Sequence, residues 1–156
     1  MLPLQEKKTR GFTLIELITV VVLLSVLGVV AMARLDNLGG FSQKAFFDEV
    51  VSAVRYAQKL AVSSGCSVQV TLTGTGFSLH QGASGCDDTT YTRDVLDPAD
   101  RASAYANANP QASISPGATF VFTSQSNVTG LSLDQAFTVN GRQFRIYRAT
   151  GLVDVL

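Results

Sequence analysis

Phe12 to Ala33 reads FTLIELITVVVLLSVLGVVAMA, 22 residues that carry one charge, Glu16. As an α-helix this stretch spans about 33 Å, close to the ~30 Å hydrocarbon core of a bilayer. A core helix of a globular protein shows a polar stripe, and here only Thr13, Glu16, Thr19 and Ser25 interrupt the apolar run. A secretory signal has a shorter apolar core and a small-x-small cleavage site. Ala31-Met32-Ala33 offers such a site, so that reading stays open beside a retained membrane anchor, which the length favours. Lys7, Lys8 and Arg10 precede the stretch, partly offset by Glu6, and Arg34 and Asp36 follow it. Positive residues stay on the cytoplasmic side, which puts residues 1–11 in the cytoplasm and the chain from about residue 34 outside. There its cysteines can oxidise.

Glu16 is the anomaly of the segment. A carboxylate near one end of a membrane helix costs a few kcal/mol unless it is solvated, protonated or paired. Either it sits at headgroup level and reaches water, or it pairs with a cation of the same or a neighbouring chain. Arg10, six residues earlier, is poorly placed for an intrahelical pair. A free amine made by cutting the chain just before Phe12 supplies the missing partner.

The remaining composition excludes several classes. The 156 residues suit one domain, or one domain plus an appendage. Twelve Lys and Arg balance twelve Asp and Glu, which argues against a general polyanion binder. Two cysteines are too few for a Cys-rich metal framework, and a Ser-His-Asp site could use only His80. The mean hydropathy of +0.24 traces largely to the front segment.

Lys7-Lys8-Thr9-Arg10-Gly11-Phe12-Thr13-Leu14-Ile15-Glu16 resembles the class III signal of type IV prepilins and pseudopilins. The pattern is a basic leader, Gly, Phe, an acid at the fifth position after the Gly, and about twenty apolar residues. The resemblance implies cleavage between Gly11 and Phe12 by a prepilin peptidase on the cytoplasmic face, and N-methylation of Phe12. It implies that Glu16 registers subunits by pairing with the terminal amine of a neighbour as a filament grows. Removing residues 1–11 takes away Lys7, Lys8, Arg10 and Glu6 and leaves 9 basic and 11 acidic residues, a net charge of −2.

From Ser42 to Ser63 the period is helical. Phe46, Val50, Val54, Ala57 and Ala61 form an apolar stripe, widened by Phe47, Val51 and Leu60, opposite Asp48, Ser52, Arg55 and Lys59. Ser63-Ser64-Gly65 ends it. Gly39-Gly40 either weaken one long helix from Phe12 to about Ser63 or break it; resemblance to pilins favours one long helix whose second half packs on a sheet. Ser67 to Thr73 then alternates with period two, Gly74-Thr75 is a turn, and Gly76 to His80 returns. Further strands are expected at 118–123, 128–133, 136–139, 143–148 and 152–156, with Asn140-Gly141 as a hairpin turn. Residues 83–117 show little periodicity and read as a long surface loop with a short helix near Ala99 to Ala108. There are no internal repeats.

With Thr73 opposite Gly76, Cys66 falls opposite Ala83, three residues from Cys86. A disulfide between Cys66 and Cys86 clasping the open end of that hairpin is within reach. Its 19 intervening residues give about 3 kcal/mol by the loop-entropy argument.

Val54-Arg55-Tyr56-Ala57-Gln58-Lys59-Leu60-Ala61 and the Val-rich strand after it resemble minor pseudopilins of the type II secretion H / FimT-like group. Phe46 to Ala53 and the position of Cys66 are most similar to the C-type minor pilins of the mannose-sensitive haemagglutinin (MSHA) pilus. Two departures matter. Ala33 stands where many relatives carry Pro. Gly151-Leu152-Val153-Asp154 stands where DNA-uptake members have Gly-Arg-x-Arg, and Arg142, Arg145 and Arg148 do not line up on one strand face. Nucleic acid is therefore not an expected partner, and a FimT-like role in binding DNA or a surface ligand is the alternative from another class.

Asp87, Asp88, Asp94, Asp97 and Asp100 could attract calcium but lack EF-hand spacing, and a solvated loop is the simpler account. His80 reads as a strand residue. No metal, no cofactor and no enzymatic constellation is expected. The expected architecture is α+β and pilin-like: leader 1–11, membrane helix 12–33, amphipathic continuation 34–63 and β-rich head 64–156. The resemblance implies a single-pass protein of the bacterial inner membrane with its head in the periplasm, later built into a pilus or pseudopilus. Its partners would be other pilin subunits, the prepilin peptidase and the inner-membrane assembly platform. The function it implies is a minor pilin of an MSHA-like pilus, with an H-type pseudopilin of type II secretion as the alternative.

Overall fold

Helices come first in the chain and strands follow. The structure is a computed structural model that describes residues 13–35 and 38–156, with side chains for 13–28 and 41–156. Among the described residues two helical stretches, α1 (Leu14–Leu35) and α2 (Leu38–Ser64), precede ten strands. These are β1 (Val68–Leu72), β2 (Gly76–Gly82), β3 (Tyr91–Asp94), β4 (Ala106–Ala108) and β5 (Ile114–Ser115). They continue with β6 (Ala118–Phe122), β7 (Val128–Thr129), β8 (Gln135–Val139), β9 (Arg142–Ile146) and β10 (Val153–Val155). Residues up to Gly39 form one compact unit and Gly40 to Leu156 form another. Gly39 and Gly40 lie within α2, and residues 36 and 37 are outside the described residues.

The second unit is built on the apolar stripe of α2. Phe46, Phe47, Val50, Val51, Val54, Ala57 and Ala61 are buried, as their helical spacing requires, and Leu60 packs at the margin. Two antiparallel sheets complete the core. The first runs β3-β2-β1-β6-β7, with β4 also on β2; the second runs β10-β9-β8-β5. Alternation sets the inward faces: Val68, Val70 and Leu72 on β1, Phe120 and Phe122 on β6, Phe137 and Val139 on β8, Phe144 and Ile146 on β9. Aromatic rings run through the middle from one sheet to the other and on to the helix. Phe122 meets Phe120 (5.7 Å between centroids), Phe120 meets Phe137 (5.8 Å), Phe137 meets Phe144 (5.4 Å) and Phe144 meets Phe47 (6.3 Å). Each buried Phe contributes about 1.5–3 kcal/mol from area alone.

The β1–β2 register places Leu72 opposite Phe77, and Thr73 gives its N–H to the Gly76 carbonyl at 2.8 Å. Asn140 (φ 49°) and Gly141 (φ 82°) make the two-residue turn between Val139 and Arg142, where both central positions need positive φ.

Residues 83–117 differ from the expectation of an irregular loop with a helix near Ala99 to Ala108. They contain β3, β4 and β5, and residues 106–108 are a strand paired with Gly76–Ser78. Ten residues that include Asp100, Ala-Asn alternation and Arg101 at φ 55° are too short and too interrupted to nucleate a helix. The free edge of β2 captures them instead. The strand expected at 128–133 covers only Val128–Thr129, because the chain turns away at Gly130, close against Phe120.

Candidate functional site

Two regions carry the residues singled out from the sequence. The first is α1. Gly11 and Phe12 lie outside the described residues. Thr13 precedes the first helical residue, and the N–H of Glu16 donates to the Thr13 carbonyl (3.1 Å) and to its Oγ1 (3.4 Å). Thr13 is thus the N-cap. Thr-x-x-Glu is a capping-box spacing, visible in the sequence, that a reading by hydropathy passes over. Glu16 is exposed in the first turn.

The large apolar side chains from Leu14 to Leu27 are 48–77% exposed, on every side of the helix. The hydroxyls among them bond inward to their own helix. Thr19 Oγ1 donates to the carbonyls of Ile15 (3.0 Å) and Glu16 (2.8 Å), and Ser25 Oγ to that of Val22 (2.7 Å). A hydroxyl bonded to a carbonyl one turn back needs no solvent, so this surface suits an apolar medium. Among the described residues no helix is long and apolar enough to cross a membrane. The described side chains of α1 stop at Gly28, short of the Phe12–Ala33 stretch that the sequence reading uses.

The second region is the end of the head where α2 stops. Cys66, one residue past the terminating Gly65, is bonded to Cys86, with Cα atoms 4.4 Å apart. The bridge ties the start of β1 to the turn after β2, which the hairpin register brings within reach. The aspartates of the loops that follow β2 and β3 bind backbone. Asp88 accepts from the N–H groups of Thr90 (2.8 Å) and Ser84 (3.1 Å). Asp97 accepts from Ala99 N–H (2.7 Å). Asp100 accepts from Ala102 N–H (2.9 Å) and from Ser103 through its N–H (3.1 Å) and hydroxyl (2.6 Å). The backbone donors hold the Asp88 and Asp100 carboxyls below their ordinary range. Among the described residues no group of His, Cys, Asp and Glu could hold a metal ion.

His80 has a partner that its sequence spacing did not disclose. Asp94 lies directly across from it on β3, with His80 Nε2 3.3 Å from Asp94 Oδ1. It is the one side-chain contact between a basic and an acidic residue among the described residues. The segment between β3 and β4 is held down by Tyr105, whose ring meets Tyr56 (5.6 Å) and Phe77 (5.7 Å) edge-on. Burial first, then Asp97 and Glu49, raise the Tyr105 phenol above its ordinary value. The three arginines near the C-terminal strands go separate ways. Arg142 lies 5.6 Å over the Phe47 ring, Arg145 is half-buried between Ala136 and Asp154, and Arg148 follows β9 with its N–H on Asp134 Oδ1.

Residues 7–32 match the prokaryotic N-terminal methylation motif. The fold is similar to crystal structures of the type IV minor pilin FimU of Pseudomonas aeruginosa. In one crystal form the identity is 16%, covering 72% of this chain and 91% of that one, with a TM-score of 0.51. In another the figures are 12%, 76%, 90% and 0.52. The chain has a pilin-like fold. The pilin-like assignment rests on this fold and on the motif together, since identity this low establishes architecture alone. No curated protein matches the sequence.

Proposed function

We infer that this chain is a minor pilin, a structural subunit of a type IV filament system, cut between Gly11 and Phe12 and methylated on Phe12. One coincidence carries the reading: a methylation motif over residues 7–32 runs through most of a helix with exposed apolar side chains, in a chain with a pilin-like fold. The first helix anchors the chain in the inner membrane with the N-terminus cytoplasmic and the head periplasmic. Other pilin subunits then take it into the filament, with the prepilin peptidase and the assembly platform acting before them. Glu16 meets the new N-terminal amine of a neighbour, an ion pair strengthened by the apolar surroundings. The finer assignment to an MSHA-type pilus draws on Phe46 to Ala53 and the position of Cys66. An H-type pseudopilus is the competing destination. The test is the mass of the protein recovered from a strain with its prepilin peptidase. N-methyl-phenylalanine at residue 12 is expected, and a different N-terminus overturns the reading.

A further inference from the structure

The sheet edges are closed in different ways. β3 carries Arg93 and Asp94, and its pairing with β2 shifts register between Gln81 and Gly82; charge and irregularity discourage another strand. On β7, Val128 gives its N–H to the Arg148 carbonyl at 2.8 Å. On β5, Ile114 gives its N–H to the Gly74 carbonyl at 2.8 Å. The short β4 presents two alanines and Asn107, whose amide is already held by Glu49.

β10 differs. Tyr147 N–H donates to the Leu152 carbonyl (2.9 Å) and Leu156 N–H to the Gln143 carbonyl (3.0 Å). With Asp154 opposite Arg145, the ladder alternates so that Leu152, Asp154 and Leu156 bond toward β9. Val153 and Val155 therefore turn their N–H and C=O groups outward. One of these four groups is occupied: Arg55 of α2 donates from Nη2 to the Val153 carbonyl at 3.1 Å. Among the described residues the other three have no partner. Leu152, Val155 and Leu156 beside them are exposed.

We propose that β10 is a docking edge that takes an extended antiparallel strand from a different pilin-type subunit, with a cationic side chain opposite Asp154. The backbone of Val153 and Val155 supplies the directional bonds, and the exposed apolar side chains supply area. Charge selects the occupant. A second copy paired through both valines sets Asp154 directly against its counterpart, which is repulsive, whereas a Lys or Arg there is attractive. Arg55 satisfies the Val153 carbonyl until the incoming N–H replaces it. The proposal rests on the reading of the chain as a filament subunit.

Amide exchange on the full chain tests it, first in detergent micelles and then in filaments. The Val153 and Val155 amides exchange freely in micelles and slow by at least about tenfold in filaments. Unchanged exchange in filaments overturns the proposal while leaving the subunit reading intact. A chain that enters no filament overturns both. Val155→Pro removes one outward N–H and no bond to β9, so it retains its fold and drops out of filaments, while Val155→Thr stays in. If Val155→Pro fails to fold, the wild-type exchange decides. A disulfide between a Val153→Cys copy and a Val155→Cys copy in filaments, the positions that self-pairing sets opposite each other, also overturns it.

Discussion

Asn107 on β4 donates from Nδ2 to both carboxylate oxygens of Glu49 on α2, at 2.8 and 2.9 Å. Fifty-eight residues separate the two in sequence. This contact pins the return of the excursion between β3 and β4 to the helix. Asn107→Ala is expected to lower global stability by about 1 kcal/mol. Its larger effect is local: trypsin cleavage after the exposed Arg101 increases severalfold. Limited proteolysis alongside thermal unfolding separates the two effects.

The Cys66–Cys86 bridge makes a second expectation. Reduction, or the double change Cys66→Ser and Cys86→Ser, lowers stability by about 2–4 kcal/mol. Denaturant unfolding with and without reductant reads it, and the double variant no longer responds to reductant.

Gly151 has φ 65°, and a Cβ built on it collides with the Ser126 carbonyl oxygen. Around it Gln58 Nε2 donates to Ser126 Oγ (2.8 Å), which donates to the Thr150 carbonyl (2.8 Å). Gly151→Ala adds a clash to an unfavourable φ and should cost about 1–3 kcal/mol. Unfolding of Gly141→Ala is the comparison. It also has a positive φ, 82°, but open space around it, and loses less.

Asp88 and Asp100 set the acid limb of stability. Their folded pKa values lie below the ordinary 3.8. Above that value both states are ionised and the stabilisation is complete. As pH falls below it the unfolded chain takes up protons first, and the contribution disappears as pH passes the folded values. Asp88→Asn and Asp100→Asn flatten the fall in Tm below about pH 4, in the range where unfolded carboxylates titrate.

Glu16→Gln tests the assembly role. The variant inserts in the membrane and is processed, but enters filaments at least about tenfold less, the equivalent of ~1.4 kcal/mol. Immunoblots of sheared filaments against membranes measure it.

The sequence made some of this legible and hid the rest, for identifiable reasons. The stripe from Phe46 to Ala61, the β1–β2 register, the bridge it brings within reach and the Asn140-Gly141 turn all follow from short-range periodicity or turn chemistry. β3 and β4 have no such periodicity. Tyr91–Asp94 is mostly exposed and Ala106–Ala108 wholly so; both exist because β2 has an edge to offer, which is a property of the partner strand. The His80–Asp94 pair needed that register before it could be seen. So did the outward turn of Val153 and Val155.

The inward-bonded hydroxyls of Thr19 and Ser25 have a mechanical corollary. In the filament inferred above, a bundle of such helices would hold its members laterally by contacts without preferred direction, with Glu16 as the oriented attachment. Under tension along the axis, neighbours would slide past one another before any hydroxyl bond broke. A fibre assembled this way would yield lengthwise before it broke.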